Sequence, residues 1–145
     1  VYFVDRQHIE NTLRFMEQQL ELLQKVSECQ NDIERAAFER TSHIIIESIL
    51  DVGNAMIDGF IMRDPGSYED IVDILNDEKV VSDEMQTSLK VIVGYRKMLV
   101  QQYIEIDHSD LSEAFKKHLH ALEQFSGCVR TYLLSELGPV SAFKN

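Results

Sequence analysis

Apolar residues recur at intervals of three and four along almost the whole of this 145-residue chain, and only two prolines and six glycines interrupt them. Nothing alternates with a period of two for long enough to form a strand, so the pattern restricts the chain to amphipathic helices packed on one another. A chain of this length fits one domain, residues 1–145, and can bury about 68% of its unfolded surface. The expected architecture is all-α: an up-down helical bundle of four long helices and one short one.

Asp5 is placed to cap a first helix in which Ile9, Leu13, Met16, Leu20 and Leu23 share one face. A second helix, from about Cys29 to Met62, is apolar over a broad arc: Ile45, Ile49, Val52, Met56 and Phe60, widened by Ile33, Ala37, Ile44 and Ala55. Such breadth marks a central helix with several neighbours. Asp64-Pro65-Gly66 is turn chemistry, and Ser67 opens a short helix through Leu75. Ser82 caps a fourth helix expected to run on through Asp107. A fifth starts at Ser109 or Asp110, carries Leu111, Phe115, Leu119, Leu122, Phe125, Val129 and Tyr132, and stops at Gly138-Pro139.

The fourth helix holds the contradiction in the sequence. At about 100° per residue, Met85, Leu89, Ile92, Val93, Leu99, Val100 and Tyr103 all lie within roughly 60° of Arg96. An unpaired charge on a buried face is costly, so Arg96 either finds carboxylate partners or lines a cleft. The second helix offers a polar ridge for it: Arg40, Glu47, Asp51, Asn54 and Asp58 follow one another along one narrow strip. A solvated edge is the plain account of that ridge; the sharper one sets Glu47, Asp51 or Asn54 against Arg96.

Composition removes several function classes. The net charge of −11, from 14 basic against 25 acidic residues, argues against electrostatic capture of bulk nucleic acid and so against DNA as a partner. It leaves room for a small local basic site. No stretch approaches the roughly 20 apolar residues that span a bilayer. Val1-Tyr-Phe-Val leads directly into charged residues, with no signal-peptide pattern. Cys29 and Cys128 are far apart and read as reduced, buried thiols of a cytoplasmic protein.

Phosphate loops, nucleophile elbows and His-Glu-x-x-His are all missing. A carboxylate-bridged metal bundle needs two Glu-x-x-His pairs, and only Glu105-Ile-Asp-His108 fits; no metal or cofactor is expected. His118 and His120 point to different faces and read as solvated, and His43 reads as a packed histidine.

The block Arg96-Lys-Met-Leu-Val-Gln-Gln-Tyr103 and the pattern Glu39-Arg40…Glu47-Ser-Ile-Leu-Asp-Val-Gly-Asn54, in this helix order, resemble the HepT-like HEPN proteins, domain-of-unknown-function family 86. Asp58-Gly-Phe-Ile-Met-Arg-Asp-Pro-Gly-Ser-Tyr68 and Glu136-Leu-Gly-Pro-Val-Ser-Ala-Phe143 resemble the branch found in Gram-positive bacteria. The resemblance covers nearly the whole chain. It implies a homodimeric helical bundle that acts as the ribonuclease toxin of a toxin–antitoxin pair, with a minimal nucleotidyltransferase as antitoxin. The family motif is Arg-x4-His-x-Tyr: the arginine stabilises phosphorane charge, the histidine transfers protons without a metal, and the tyrosine takes AMP from the partner.

Carried over, Arg96 and Tyr103 match the motif, but Gln101 stands at the histidine position, and Lys97 stands where the family often has Asn or Asp. A neutral amide can hydrogen-bond a phosphate oxygen but cannot accept and return a proton near pH 7. On a straight helix Tyr103 lies about 20° from Arg96 and Gln101 about 140° away, so the three converge only if the helix is distorted or two protomers contribute. Two readings stay open. One is a ribonuclease that uses Arg96, with Gln101 orienting phosphate or water. The other is a HEPN dimer that has lost catalysis and binds nucleotide or a partner.

Overall fold

The computed structural model describes residues 2–140, so residues 141–143 of the C-terminal family segment lie outside the described part. All regular structure among the described residues is helical: α1 (Arg6–Val26), α2 (Asp32–Gly59), α3 (Tyr68–Asp77), α4 (Asp83–Gly94), α5 (Arg96–Val100), a 3-10 turn (Tyr103–Glu105), α6 (His108–Lys117) and α7 (Leu119–Leu137). The expected all-α bundle is therefore present, with two of its long helices each broken once.

Capping side chains set most of the helix starts. Asp5, Asn31, Ser67, Ser82 and Asp107 each accept a hydrogen bond from the backbone N–H three residues on, which satisfies one of the free donors of the first turn. Asn31 opens α2, two residues past Cys29, because Cys29 adopts a left-handed backbone (φ 51°) that a right-handed helix does not accommodate. At the other end of the chain Gly138, at φ 77°, turns the backbone out of α7.

The core lies where the apolar spacing placed it. Ile9, Leu13, Met16, Leu20 and Leu23 of α1 are buried, as are Ile45, Ile49, Val52, Met56 and Phe60 along α2 and its C-cap. Ile33 does not widen that face: it stands 82% exposed in the first turn of α2, ahead of the packed part of the helix. Phe38 of α2 meets Phe115 of α6 edge-to-face across the interior, with ring centroids 6.1 Å apart.

Long-range bonds define the topology. Phe3 N–H donates to Gly59 O at the end of α2, and Arg6 Nη1 donates to Gly138 O at the end of α7, so α1 runs antiparallel to both. Arg130 of α7 bridges Glu10 and Glu17 of α1 and ties the same pair laterally. α3 packs on α2 and α4, while α5 packs back on α2.

Gly53 permits the close approach of α3, since a Cβ there would stand 2.4 Å from Ile71 Cγ2. Ile71 is itself buried and cannot retreat. That contact fixes the depth at which α3 sits, and α3 carries a residue of the site.

Candidate functional site

The fourth helix does not continue to Asp107. It ends at Gly94, turns at Tyr95 (φ −77°, ψ −8°), resumes for one turn as α5 and stops at Val100. Gln101 caps α5 (φ −109°, ψ −31°), Gln102 departs from helical geometry (φ −109°, ψ 36°), and Tyr103 begins the 3-10 turn. The stripe accordingly divides. Met85, Leu89, Ile92, Val93 and Leu99 are buried, whereas Tyr103 stands 65% exposed and Ile104 86%. Tyr103 is thus not a core tyrosine on the face of Arg96, because the helix that would have placed it there ends three residues earlier.

Arg96 is the first residue of α5, and its Nε donates to Oε1 of Glu47 across the α2–α5 contact at 2.6 Å. Of the three acceptors proposed from the ridge, Glu47 alone takes this role. Asp51 and Asn54, one and two turns further along α2, are exposed and make no hydrogen bond or ion pair with Arg96 among the described residues. The bond to Glu47 outweighs burial and holds the guanidinium above its ordinary pKa range, so Arg96 stays charged throughout.

Engagement through Nε leaves the two Nη groups without a hydrogen bond among the described residues. These form the edge of the fork that grips phosphate in bidentate fashion.

Two further side chains complete the cluster. The ring of Tyr68, in the first turn of α3, lies 4.2 Å below the Arg96 guanidinium carbon, within cation–π range. His43, one turn before Glu47 on α2, has Nε2 3.6 Å from the same Oε1 that Arg96 uses. Arg96, Glu47 and His43 all have partly exposed side chains, at 21, 31 and 30%. The group is therefore a charged notch at the surface and not a buried ion pair. His43 is half-exposed, not packed away.

Tyr68 was not legible as a site residue. Its sequence signals are the Ser67 cap and its place at the end of the Asp58–Tyr68 segment, which put it at a helix start without saying which neighbour it faces.

The remaining candidates separate from this cluster. Lys97 and Gln101 are exposed and make no side-chain hydrogen bond among the described residues, and neither does Tyr103. Gln101 and Tyr103 lie just past the end of α5, on the turn that leaves the Arg96 notch.

His108 is occupied by Glu39 (Nε2 to Oε2, 2.7 Å), and no group of three or more metal-type side chains occurs among the described residues. His118 is half-buried instead of solvated. It breaks the fifth helix into α6 and α7, and its Nδ1 lies 2.9 Å from Ser88 Oγ. Burial and the neighbouring Lys117 push the His118 imidazole down. Cys29 and Cys128 are free and half-buried, and burial raises both thiols. No described helix is long and apolar enough to cross a membrane.

Known proteins share this arrangement of helices. The family description for HepT-like ribonucleases matches residues 8–129. The Bacillus subtilis (strain 168) protein YutE, an RNase candidate by name, is 54% identical over 144 residues, 99% of this chain and 100% of that one. A solved structure of YutE, described as a cytosolic protein of unknown function, matches with a TM-score of 0.94 over 99% of this chain and 100% of its own. A toxin–antitoxin complex with AMP-PNP aligns at 19% identity and a TM-score of 0.77, over 85% of this chain and 97% of that one. A tri-AMPylated Shewanella oneidensis HEPN toxin in complex with an MNT antitoxin aligns at 20% identity and 0.76, over 85% and 96%. At such identities the last two establish the fold alone.

Proposed function

The chain belongs to the HepT-like ribonuclease family of the HEPN superfamily, and we propose that it is an RNA-directed member of that family, working as a homodimer in the cytoplasm beside a minimal nucleotidyltransferase. One observation carries the reading: Arg96 is held by Glu47 through Nε alone, with its Nη groups unbonded among the described residues and its side chain partly exposed. A phosphate approaching these groups meets a charge already aligned and braced underneath by Tyr68. Gln101, on the following turn, offers an amide that can hydrogen-bond a phosphate oxygen. Lys97, exposed on α5, adds a second positive charge.

Tyr103 suits the modification role. Its ring is mostly exposed on a short 3-10 turn, within reach of a partner enzyme and free of intramolecular hydrogen bonds among the described residues. AMP placed there would add negative charge two residues from Gln101, on the turn that follows Arg96, which is a way to repel an incoming phosphate.

The alternative, a dimer that binds nucleotide or partner without cleaving RNA, is favoured by one specific observation. Gln101 cannot move protons, a function typically worth roughly 10²–10⁴-fold in rate.

Co-expression with a minimal nucleotidyltransferase, followed by mass spectrometry of Tyr103 and by RNA cleavage assays on the purified chain, tests both readings. The expected result is slow cleavage that Arg96→Ala abolishes, together with an adenylyl mass on Tyr103. RNA binding without cleavage selects the alternative. The absence of cleavage, binding and modification together would overturn the assignment.

A further inference from the structure

The motif lacks its histidine, yet a histidine stands at the site by another route. Nε2 of His43 and Nε of Arg96 both converge on Oε1 of Glu47, at 3.6 and 2.6 Å. The three side chains come from α2 and α5, held by a helix–helix contact that Tyr68 flanks from α3. His43 is partly exposed and makes no hydrogen bond among the described residues, in contrast to His108 on Glu39 and His118 on Ser88. We infer that His43 is the proton-transfer group of the Arg96 site, replacing the motif histidine from a different helix.

The inference rests on the nuclease reading above and supplies what that reading lacks. A carboxylate near an imidazole stabilises the imidazolium formed when it takes a proton. Glu47 is placed to do this for His43 while it aligns Arg96, so one carboxylate serves both groups. The charged groups around the imidazole are Glu47 on its own helix and Arg96 from α5. Glu39, one turn earlier on α2, is already taken by His108 of α6, and the charge of Arg40 on α2 is exposed. From α3 the neighbouring titratable group is Tyr68, which lies against Arg96.

The chemistry balances with water as the only other participant. The ribose 2′-hydroxyl oxygen bonds to the adjacent phosphorus as its proton passes to neutral His43, and the Arg96 Nη edge takes up the phosphorane charge. The P–O5′ bond then breaks, and the 5′-oxygen leaves as a hydroxyl with a proton from water. The resulting hydroxide is neutralised by the proton that His43 returns. The products are a 2′,3′-cyclic phosphate and a 5′-hydroxyl end.

The test is single-turnover cleavage of a fluorescent single-stranded RNA by the full chain and by the variants Arg96→Ala, His43→Gln, His43→Asn, His43→Ala and His120→Gln. Rates are followed across pH, and folding is checked by thermal melting. His120 is exposed on α7, and its replacement should leave the rate unchanged. His43→Gln and His43→Asn should lose roughly 10²–10⁴-fold, the range proton transfer contributes, and should lose the acid limb of the rate–pH profile. Added imidazole should restore part of the rate in His43→Ala but none in Arg96→Ala.

Folded His43 variants that cleave at the parental rate with the parental pH profile would overturn the role of His43 and leave the nuclease reading standing. Failure of the parental chain to cleave at all would overturn both. A rate lost without a change in pH profile, and without imidazole rescue, would reduce His43 to a packing residue.

Discussion

A single oxygen, Oε1 of Glu47, organises the site. It receives Arg96 Nε at 2.6 Å and stands 3.6 Å from His43 Nε2. An exposed or half-exposed ion pair contributes little to stability, typically 0–1 kcal/mol, so the value of this one lies elsewhere. Positioning supplies it: the carboxylate occupies the Nε side of the guanidinium and leaves the Nη groups unbonded among the described residues. Glu47→Gln should therefore melt close to the parental chain, yet cleave RNA roughly 10–100-fold more slowly, the scale of loss when a reacting group is displaced by an ångström or less. Melting curves and single-turnover rates measured on the same preparations check this. A faster Glu47→Gln enzyme would mean that Glu47 masks Arg96 instead of aiming it. This pairing was partly legible in the sequence, because a guanidinium in an apolar stripe demands an acceptor and α2 offered only a short ridge of them. The choice of Glu47 over Asp51 and Asn54 was not legible, since it depends on the height at which α5 crosses α2.

Helix breaks decide which of the motif residues stay together. The apolar periodicity runs unbroken through Tyr95 and through His118, and neither position carries a proline, so both breaks are invisible to a pattern of spacing. Turn chemistry was far more readable. Asp64-Pro65-Gly66 and Ser67 place the start of α3 correctly, and the structure adds a clamp there. Arg63 Nη1 and Nη2 donate to the two carboxylate oxygens of Asp70 at 2.8 and 2.9 Å, and Gly66 N–H donates to the same carboxylate. The Arg63 bonds, then Gly66, hold the Asp70 carboxyl down at about 2. A carboxylate with a folded pKa below its unfolded one adds stability that is complete above the unfolded value, roughly 3.9, and is lost as pH falls through the folded one. The contribution of this clamp should therefore vanish between about pH 4 and about pH 2. Melting temperatures of the parental chain and Asp70→Asn, recorded from neutral to acid pH, should differ near neutrality and converge at the acid end. Both side chains are partly exposed, so added salt should narrow the neutral difference. Tyr68 sits two residues before Asp70, so the same clamp steadies the aromatic face under Arg96.

At the scale of the whole molecule, the net charge of −11 sets the terms on which RNA can be approached. Several of the basic side chains are already spent on carboxylates of the same chain: Arg130 on Glu10 and Glu17, Arg63 on Asp70 and Asp77, Lys90 on Asp73, Lys116 on Glu28. Around the notch, the cations left to meet phosphate are Arg96, through its Nη groups, and the exposed Lys97 and Arg40. A ligand held by so few contacts displaces few counterions, and for single strands each phosphate neutralised contributes roughly −0.7 to the slope of log K against log salt. Three cations per protomer, doubled in the proposed dimer, cap the slope at roughly −4. Titrations of a labelled single-stranded RNA at several salt concentrations should give a value no steeper than that, and Arg96→Ala should make it shallower by about one contact per protomer. A slope well beyond about −4 that Arg96→Ala leaves unchanged would place the RNA on a basic surface elsewhere and remove Arg96 from its recognition. The acidic exterior would in that case be a barrier that some other region overcomes. With the shallow slope, the same exterior acts as a filter: it repels duplexes and long structured RNA and admits only a strand presenting a phosphate to the notch between α2 and α5.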